Sequence, residues 1–144
     1  MTSPVDGIFN IDKATGITSM EVVRRVKRLF SRRHVGHGGT LDPDATGVLP
    51  VCLGQATRLM QFLVDSKKEY LGTIHLGVTT DTYDAEGQIV EERDPSAVTS
   101  DSFEAALRSF QGTIQQTPPM YSALKHQGHR LHQLARAGIQ VERP

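Results

Sequence analysis

One cysteine, Cys52, is all that this 144-residue chain contains. No intrachain disulfide can form, and a zinc site built from cysteines is excluded. A lone thiol suits a reducing compartment. No apolar run approaches the roughly 20 residues of a membrane-spanning helix. The opening MTSPVDGIFNIDK has neither the basic nor the apolar region of a secretion signal. A cytoplasmic protein with no membrane partner is expected. Net charge is missing as well, since 16 Lys and Arg offset 16 Asp and Glu. Bulk charge therefore predicts no polyanionic partner. The sequence also lacks GxxxxGK[ST], GxGxxG and HExxH, which excludes the usual nucleotide-phosphate loops and a zincin site. There is no internal repeat, low-complexity segment or linker.

What is present is a composition of 38% hydrophobic and 22% charged residues, that of a globular domain with one core. Its charge is polarised. Arg24, Arg25, Lys27, Arg28, Arg32 and Arg33 fall within residues 24–33 with no acid among them. Asp81, Asp84, Glu86, Glu91, Glu92, Asp94, Asp101 and Glu104 face Arg93 alone within 81–104. A basic stripe of this kind can meet a polyanion even at zero net charge.

The pattern predicts a strand over Gly7–Asp12. A helix follows from Thr18, with Thr18 and Glu21 as a capping box and Val22, Val23, Val26, Leu29 and Phe30 on its inner face, running to about Arg33. Val48–Gly54 reads as a short strand or bend, with Pro50 arguing against a central strand. A short helix over ATRLMQFL should turn Leu59, Met60, Phe62 and Leu63 inward. Lys68–Val78 alternates like a strand, DTYDAEG turns, and QIVEER returns. Asp101 with Glu104 should start a helix carrying Phe103, Ala106, Leu107 and Phe110 and ending at Gly112. GTIQQ reads as a strand, TPPMYSALKHQG as irregular, and HRLHQLARAG as a helix that Gly138 stops. Strands separated by turns as often as by helices imply an α+β fold, a mixed, mainly antiparallel sheet flanked by helices.

The stretch with chemical potential is Val35–Pro50, VGHGGTLDPDATGVLP. Glycines allow positive φ and close approach of a ligand, and Pro43 biases Asp42 toward extended geometry. Asp42 held in this way suits a nucleophile, a general base or a metal ligand. Asp42 and Asp44 equally suit plain turn chemistry. His34 and His37 with Asp42 and Asp44 raise a metal-dependent hydrolase as a further reading, although their spacing matches no metal motif. Tyr70, flanked by Lys67 and Lys68, suits either sheet packing or stacking on a base with the lysines on phosphates. Asp81 and Asp84 read as turn residues. Tyr121, Lys125 and Arg130 add a polar segment with cations.

In this order and at these separations, FNIDKATGITSMEVVRRVKR, VGHGGTLDPDATGVLPVCLGQATRL, KKEYLGTIHLGVTTDTYDAEG and PPMYSALKHQGHRLHQLARAG closely resemble the bacterial tRNA pseudouridine-55 synthase (TruB) family. The resemblance covers Gly7 to Pro144. It implies the pseudouridine-synthase fold and isomerisation of a uridine in the tRNA T-loop, with no metal and no organic cofactor. It implies the tRNA T-arm as partner and no obligate protein partner. Asp42 would be the nucleophile, Tyr70 would stack on the flipped base, and His37 would enter the T-loop. Lys13, Gly39, Thr40 and Arg136 would bind substrate.

The departures are Ala14, where the family's DKPxG has proline, and two features missing from these 144 residues. One is the family's GTYIR-type segment, whose arginine pairs with the catalytic aspartate. The other is its C-terminal RNA-binding domain, often of PUA type. A carboxylate buried beside a base without a cation tends to protonate. The expectation is thus the N-terminal portion of a catalytic domain, incomplete in its sheet and weakly active alone. Asp84 is a candidate for holding the missing arginine. A non-catalytic tRNA-binding or folding module built on Arg24–Arg33, His37 and Tyr70 is the alternative.

Overall fold

A computed structural model describes residues 5–31, 34–120, 122 and 124–141, the side chain of His132 excepted. Arg32, Arg33 and Tyr121, named above, lie outside the described residues. The chain divides into two compact units, Met1–Leu71 and Gly72–Pro144. Every strand pairing in them is antiparallel.

The first unit holds strand β1 (Gly7–Lys13), helix α1 (Ser19–Leu29), strands β2 (Val35–His37) and β3 (Gly47–Leu53), a 3-10 segment (Gly54–Leu59) and helix α2 (Met60–Val64). The sheet order is β1-β3-β2. Alternation along the strands divides its faces. Leu49, Val51 and Leu53 of β3 join Val35 of β2 and Val22, Val23 and Val26 of α1 in the core, with Phe9, Ile11, Ile17 and Leu41 packed around them. On the opposite face Gly36 of β2 and Gly38, just after it, receive α2. A Cβ on Gly36 would lie 2.5 Å from Met60 Sδ, and one on Gly38 would lie 2.6 Å from Leu63 Cβ. Met60 can swing aside; Leu63 Cβ is fixed to its backbone. Gly38→Ala should therefore cost about 1–3 kcal/mol by overpacking, measured by urea denaturation, whereas Gly39→Ala meets open space and only its φ of 153°.

β3 is the central strand, and Pro50 lies within it, contrary to the sequence expectation. In an antiparallel ladder a residue's N–H and C=O point to the same neighbour. Pro50 C=O accepts from Gly38 N at 2.8 Å, so its missing N–H also lies on the β2 side, where pairing ends at His37–Val51. The ladder to β1 loses nothing. Cys52 is fully buried within β3, and desolvation raises its thiol pKa. The native protein should leave Cys52 unmodified by iodoacetamide at pH 8, with reaction appearing on urea unfolding. Stoichiometric labelling of the folded chain would contradict this packing.

Helix α1 starts after Thr18 as expected, but the capping box is only half formed, with Thr18 Oγ1 accepting from Glu21 N at 3.1 Å. Glu21 then pairs with Arg25 at 2.7 Å, an exposed contact worth a few tenths of a kcal/mol. The helix stops at Leu29, short of Arg33. Phe30 caps it, packs 5.2 Å from Phe9 between ring centroids, and is followed by Ser31 at φ 49°, a left-handed residue that ends helices. Leu29 is exposed, as are Leu59 and Phe62, which were expected inward.

The second unit contains β4 (Val78–Thr80), β5 (Ile89–Glu92), α3 (Ser100–Arg108), β6 (Lys125–His126), β7 (His129–Arg130) and α4 (Leu131–Arg136). The strand expected over Lys68–Val78 is not formed, since only Val78 of that stretch lies in a strand, β4, and GTIQQ forms none. Helix α3 is capped by Thr99 and Ser102 in reciprocal bonds rather than by Asp101 and Glu104. Its expected inner face is largely open, with Leu107 and Phe110 exposed. Within the stretch expected to be irregular, Gln127 (φ 49°) and Gly128 (φ 87°) turn β6 into β7, the two positive φ values of a type I′ hairpin.

Candidate active site

The loop after β2 is held through its backbone. Ser19 Oγ donates to Leu41 C=O at 3.0 Å and accepts from Leu41 N–H at 2.9 Å. Lys13 Nζ donates to Pro43 C=O at 2.9 Å, to Ile17 C=O at 2.8 Å and to Ala14 C=O at 3.0 Å. Gly16 N–H also reaches Pro43 C=O at 2.9 Å, and Thr15 Oγ1 donates to Asp44 C=O at 3.2 Å. Ala45 N–H closes a turn onto Asp42 C=O at 3.1 Å. These bonds bracket Asp42, whose side chain is exposed.

Lys13 is 0% exposed, and its three protons are committed to carbonyl oxygens. Its place is beneath the loop rather than at a ligand. Among the expected site residues, Gly39, Thr40 and Tyr70 line one cavity of about 710 Å³, together with Leu41, Asp44, Thr46, Val48, Leu63 and Lys67. Asp44 is on the wall; Asp42 and Pro43, between the wall residues Leu41 and Asp44, do not line the cavity, and Asp42 is exposed. Tyr70 is 70% exposed, so it is not a core tyrosine.

Lys68 and Lys67 differ in their engagements. Lys68 Nζ caps the end of α2 on the carbonyls of Leu63, Val64 and Ser66, while Lys67 lines the cavity with its ammonium unengaged among the described residues. His37 lies at the end of β2, and its Nδ1 is buried without a hydrogen-bond partner among the described residues. Gly36 and Gly38 serve α2, which leaves Gly39 as the glycine of the three with open space around it. His34, His37, Asp42 and Asp44 do not converge; no group of three or more metal-ligating side chains does so among the described residues.

Asp84 and Arg136 belong to the second unit. Asp84 Oδ1 accepts from Thr82 Oγ1 at 2.6 Å and Glu86 N–H at 3.0 Å, which places it in the turn between β4 and β5. Arg136 is exposed in the last turn of α4. What sequence reasoning missed is Ser19. Its position directly after a capping threonine was the available signal, because one cap needs only one hydroxyl.

A buried cationic and hydroxylic clamp thus lies under the GGTLDP loop, with a tyrosine-bearing cavity beside it. The profile of the TruB family pseudouridylate synthase N-terminal domain matches residues 27–144, and the chain belongs to that family. It is 55% identical over 139 residues to tRNA pseudouridine synthase B of Dehalococcoides mccartyi strain CBDB1, covering 96% of this chain and 46% of that protein. It is 52% identical over 139 residues to the protein of the same name from Clostridium perfringens strain 13, covering 96% and 47%. With that of Chromohalobacter salexigens the figures are 49% over 141 residues, 98% and 46%. The chain thus spans about half the length of these relatives. The fold is similar to a chain in the crystal structure of a Cbf5-Nop10-Gar1 complex, with a TM-score of 0.55 and 31% identity over 83% of this chain and 31% of that one. This agrees with the α+β, pseudouridine-synthase fold expected from the sequence.

Proposed function

We propose that this chain is the N-terminal part of the catalytic domain of a tRNA pseudouridine synthase, acting on a uridine of the T-loop at position 55. The supporting observation is the cavity that joins the GGTLDP loop to Tyr70. The target base leaves its stack at a cost of a few kcal/mol. Tyr70, open to solvent beside the cavity, returns about 1–3 kcal/mol by stacking. Asp42 then either attacks the glycosidic carbon or the ring, or starts elimination as a base. The N1–C1′ bond breaks, the base rotates, and C5 bonds to C1′ with release of any bond to Asp42; C5 then loses its proton and N1 gains one, so that the atoms of uridine are conserved. His37, whose Nδ1 has no hydrogen-bond partner among the described residues, meets the displaced nucleotides. No cofactor or metal takes part, and an arginine from the rest of the catalytic domain pairs with Asp42.

Phosphates are met by Lys67 and by Arg24, Arg25 and Arg28, all exposed. Lys67→Ala in the full-length protein should weaken tRNA binding severalfold and lower the salt slope of log K by about 1. Lys68→Ala should act instead on stability, since its ammonium caps α2. Equal loss of affinity in both variants, with unchanged stability, would remove this distinction. The test of the function itself is conversion of uridine to pseudouridine in a T-arm RNA by the full-length protein, read by mass spectrometry after selective derivatisation. A protein that binds the T-arm without converting it would support the RNA-folding module instead.

A further inference from the structure

We infer that Ser19 is a positioning residue that aims the Asp42 carboxylate, an inference that rests on the reading of Asp42 as the reacting group. The direction of a Cα–Cβ bond is set by the two peptide planes that flank it. For Asp42 both planes are held. The plane that follows carries Asp42 C=O, which accepts from Ala45 N–H at 3.1 Å. The plane that precedes carries Leu41 C=O, which accepts from Ser19 Oγ at 3.0 Å.

The same hydroxyl accepts from Leu41 N–H at 2.9 Å, so one oxygen fixes the peptide planes on both sides of Leu41. Ser19 is 3% exposed, and a hydroxyl in that setting does not exchange its partners for water. It is also free for this task. A serine at a helix start ordinarily caps the helix, but Thr18 does so here. The two adjacent hydroxyls divide the work, one for the helix and one for the loop.

The neighbouring restraints do not replace it. Gly38 is tied to Pro50 C=O at 2.8 Å, and Pro43 to Gly16 and Lys13. Between those anchors lies Gly39 at φ 153°, with nothing within 4 Å of a Cβ built on it, a residue with wide backbone freedom. Without Ser19 the segment between these anchors keeps the Leu41 side chain packed on the core, but Gly39, Thr40 and the Leu41 peptide groups have no other main-chain hydrogen bond among the described residues. Small misplacements of a reacting group are costly: an error of 1 Å can lower a rate about 100-fold.

The test uses Ser19→Ala and Ser19→Thr in the full-length protein, with single-turnover pseudouridine formation, tRNA Kd and backbone amide exchange as readouts. Ser19→Ala should slow the single-turnover rate about 10- to 100-fold with Kd within about threefold. The Leu41 amide should exchange at least roughly tenfold faster while Leu49 and Val51 stay protected. Ser19→Thr, which keeps the hydroxyl, should recover most of the rate. A Ser19→Ala rate equal to wild type overturns the inference. So does a rate loss accompanied by equal deprotection of Leu49 and Val51, which is general loosening. Asp42→Asn in the same assay separates the two levels. If it is inactive while Ser19→Ala is fully active, the positioning role alone fails. If both are fully active, the reading of Asp42 fails and takes the positioning role with it.

Discussion

Asp42→Asn in the full-length protein should reduce pseudouridine formation on the order of 10⁴-fold or more, with tRNA affinity within about threefold of wild type. The replacement is nearly isosteric and removes the nucleophile or base. It leaves the loop in place, because the bonds that hold residues 41–45 use main-chain atoms of Leu41, Asp42, Pro43, Asp44 and Ala45. Asp44→Asn is the companion measurement. Asp44 lies on the cavity wall, so geometry alone gives it a claim, and its variant should stay within about tenfold of wild type. An inactive Asp44→Asn beside an active Asp42→Asn would exchange their roles. Activity in both, with binding retained, would favour the non-catalytic tRNA module.

Lys13→Met should cost about 2–4 kcal/mol of folding stability, the largest effect on stability expected from any single change discussed. Methionine fills a similar space but donates nothing. Ala14 and Ile17 would lose the ammonium as a donor to their carbonyls. Pro43 would keep only Gly16 N–H, and the link from β1 to the loop, 30 residues apart in sequence, would weaken. Urea denaturation is the measurement, read as a lower midpoint at unchanged slope. A loss under about 0.5 kcal/mol would mean that the three carbonyls find other donors, and that Lys13 does not hold the loop. Lys13→Arg is not a neutral control, since the planar fork cannot reproduce three converging bonds from one nitrogen.

Where side-chain pattern and local cap chemistry agree, the elements were readable. β1, the start of α1 and the valine face of α1 follow from alternation, from Thr18 and from helical spacing. Elements set by partners distant in sequence were not. β2 is three residues long with two polar or glycine positions, and it exists because β3 offers it a ladder. The Lys68–Val78 alternation carries β propensity, but only Val78 of it lies in a paired strand, and propensity without a partner does not make a sheet. The helix over 100–108 was expected, but its cap was misassigned, because Thr99 and Asp101 are both good N-caps two residues apart.

The neighbours of Asp42 and Tyr70 left turn chemistry and sheet packing open, and the roles proposed for the two residues come from the family resemblance. The resemblance implies a substrate-binding role for Lys13, whereas its ammonium is buried on three carbonyls beneath the loop. Only its burial reveals that it faces inward. Ser19 left almost no trace in the pattern, because a serine at a helix start is ordinary.

Pro50 affects a strand to which it does not belong. By withholding one N–H from Gly38 C=O, it ends the β2 ladder at the bond that ties down Gly38. The chain must then leave the sheet at Gly39, and the number of residues available to span from there to the Lys13 anchor is fixed. The reach of the GGTLDP loop is thus written in the adjacent strand. Lengthening the loop by design would have to begin at Pro50, with the loop's own residues left as they are.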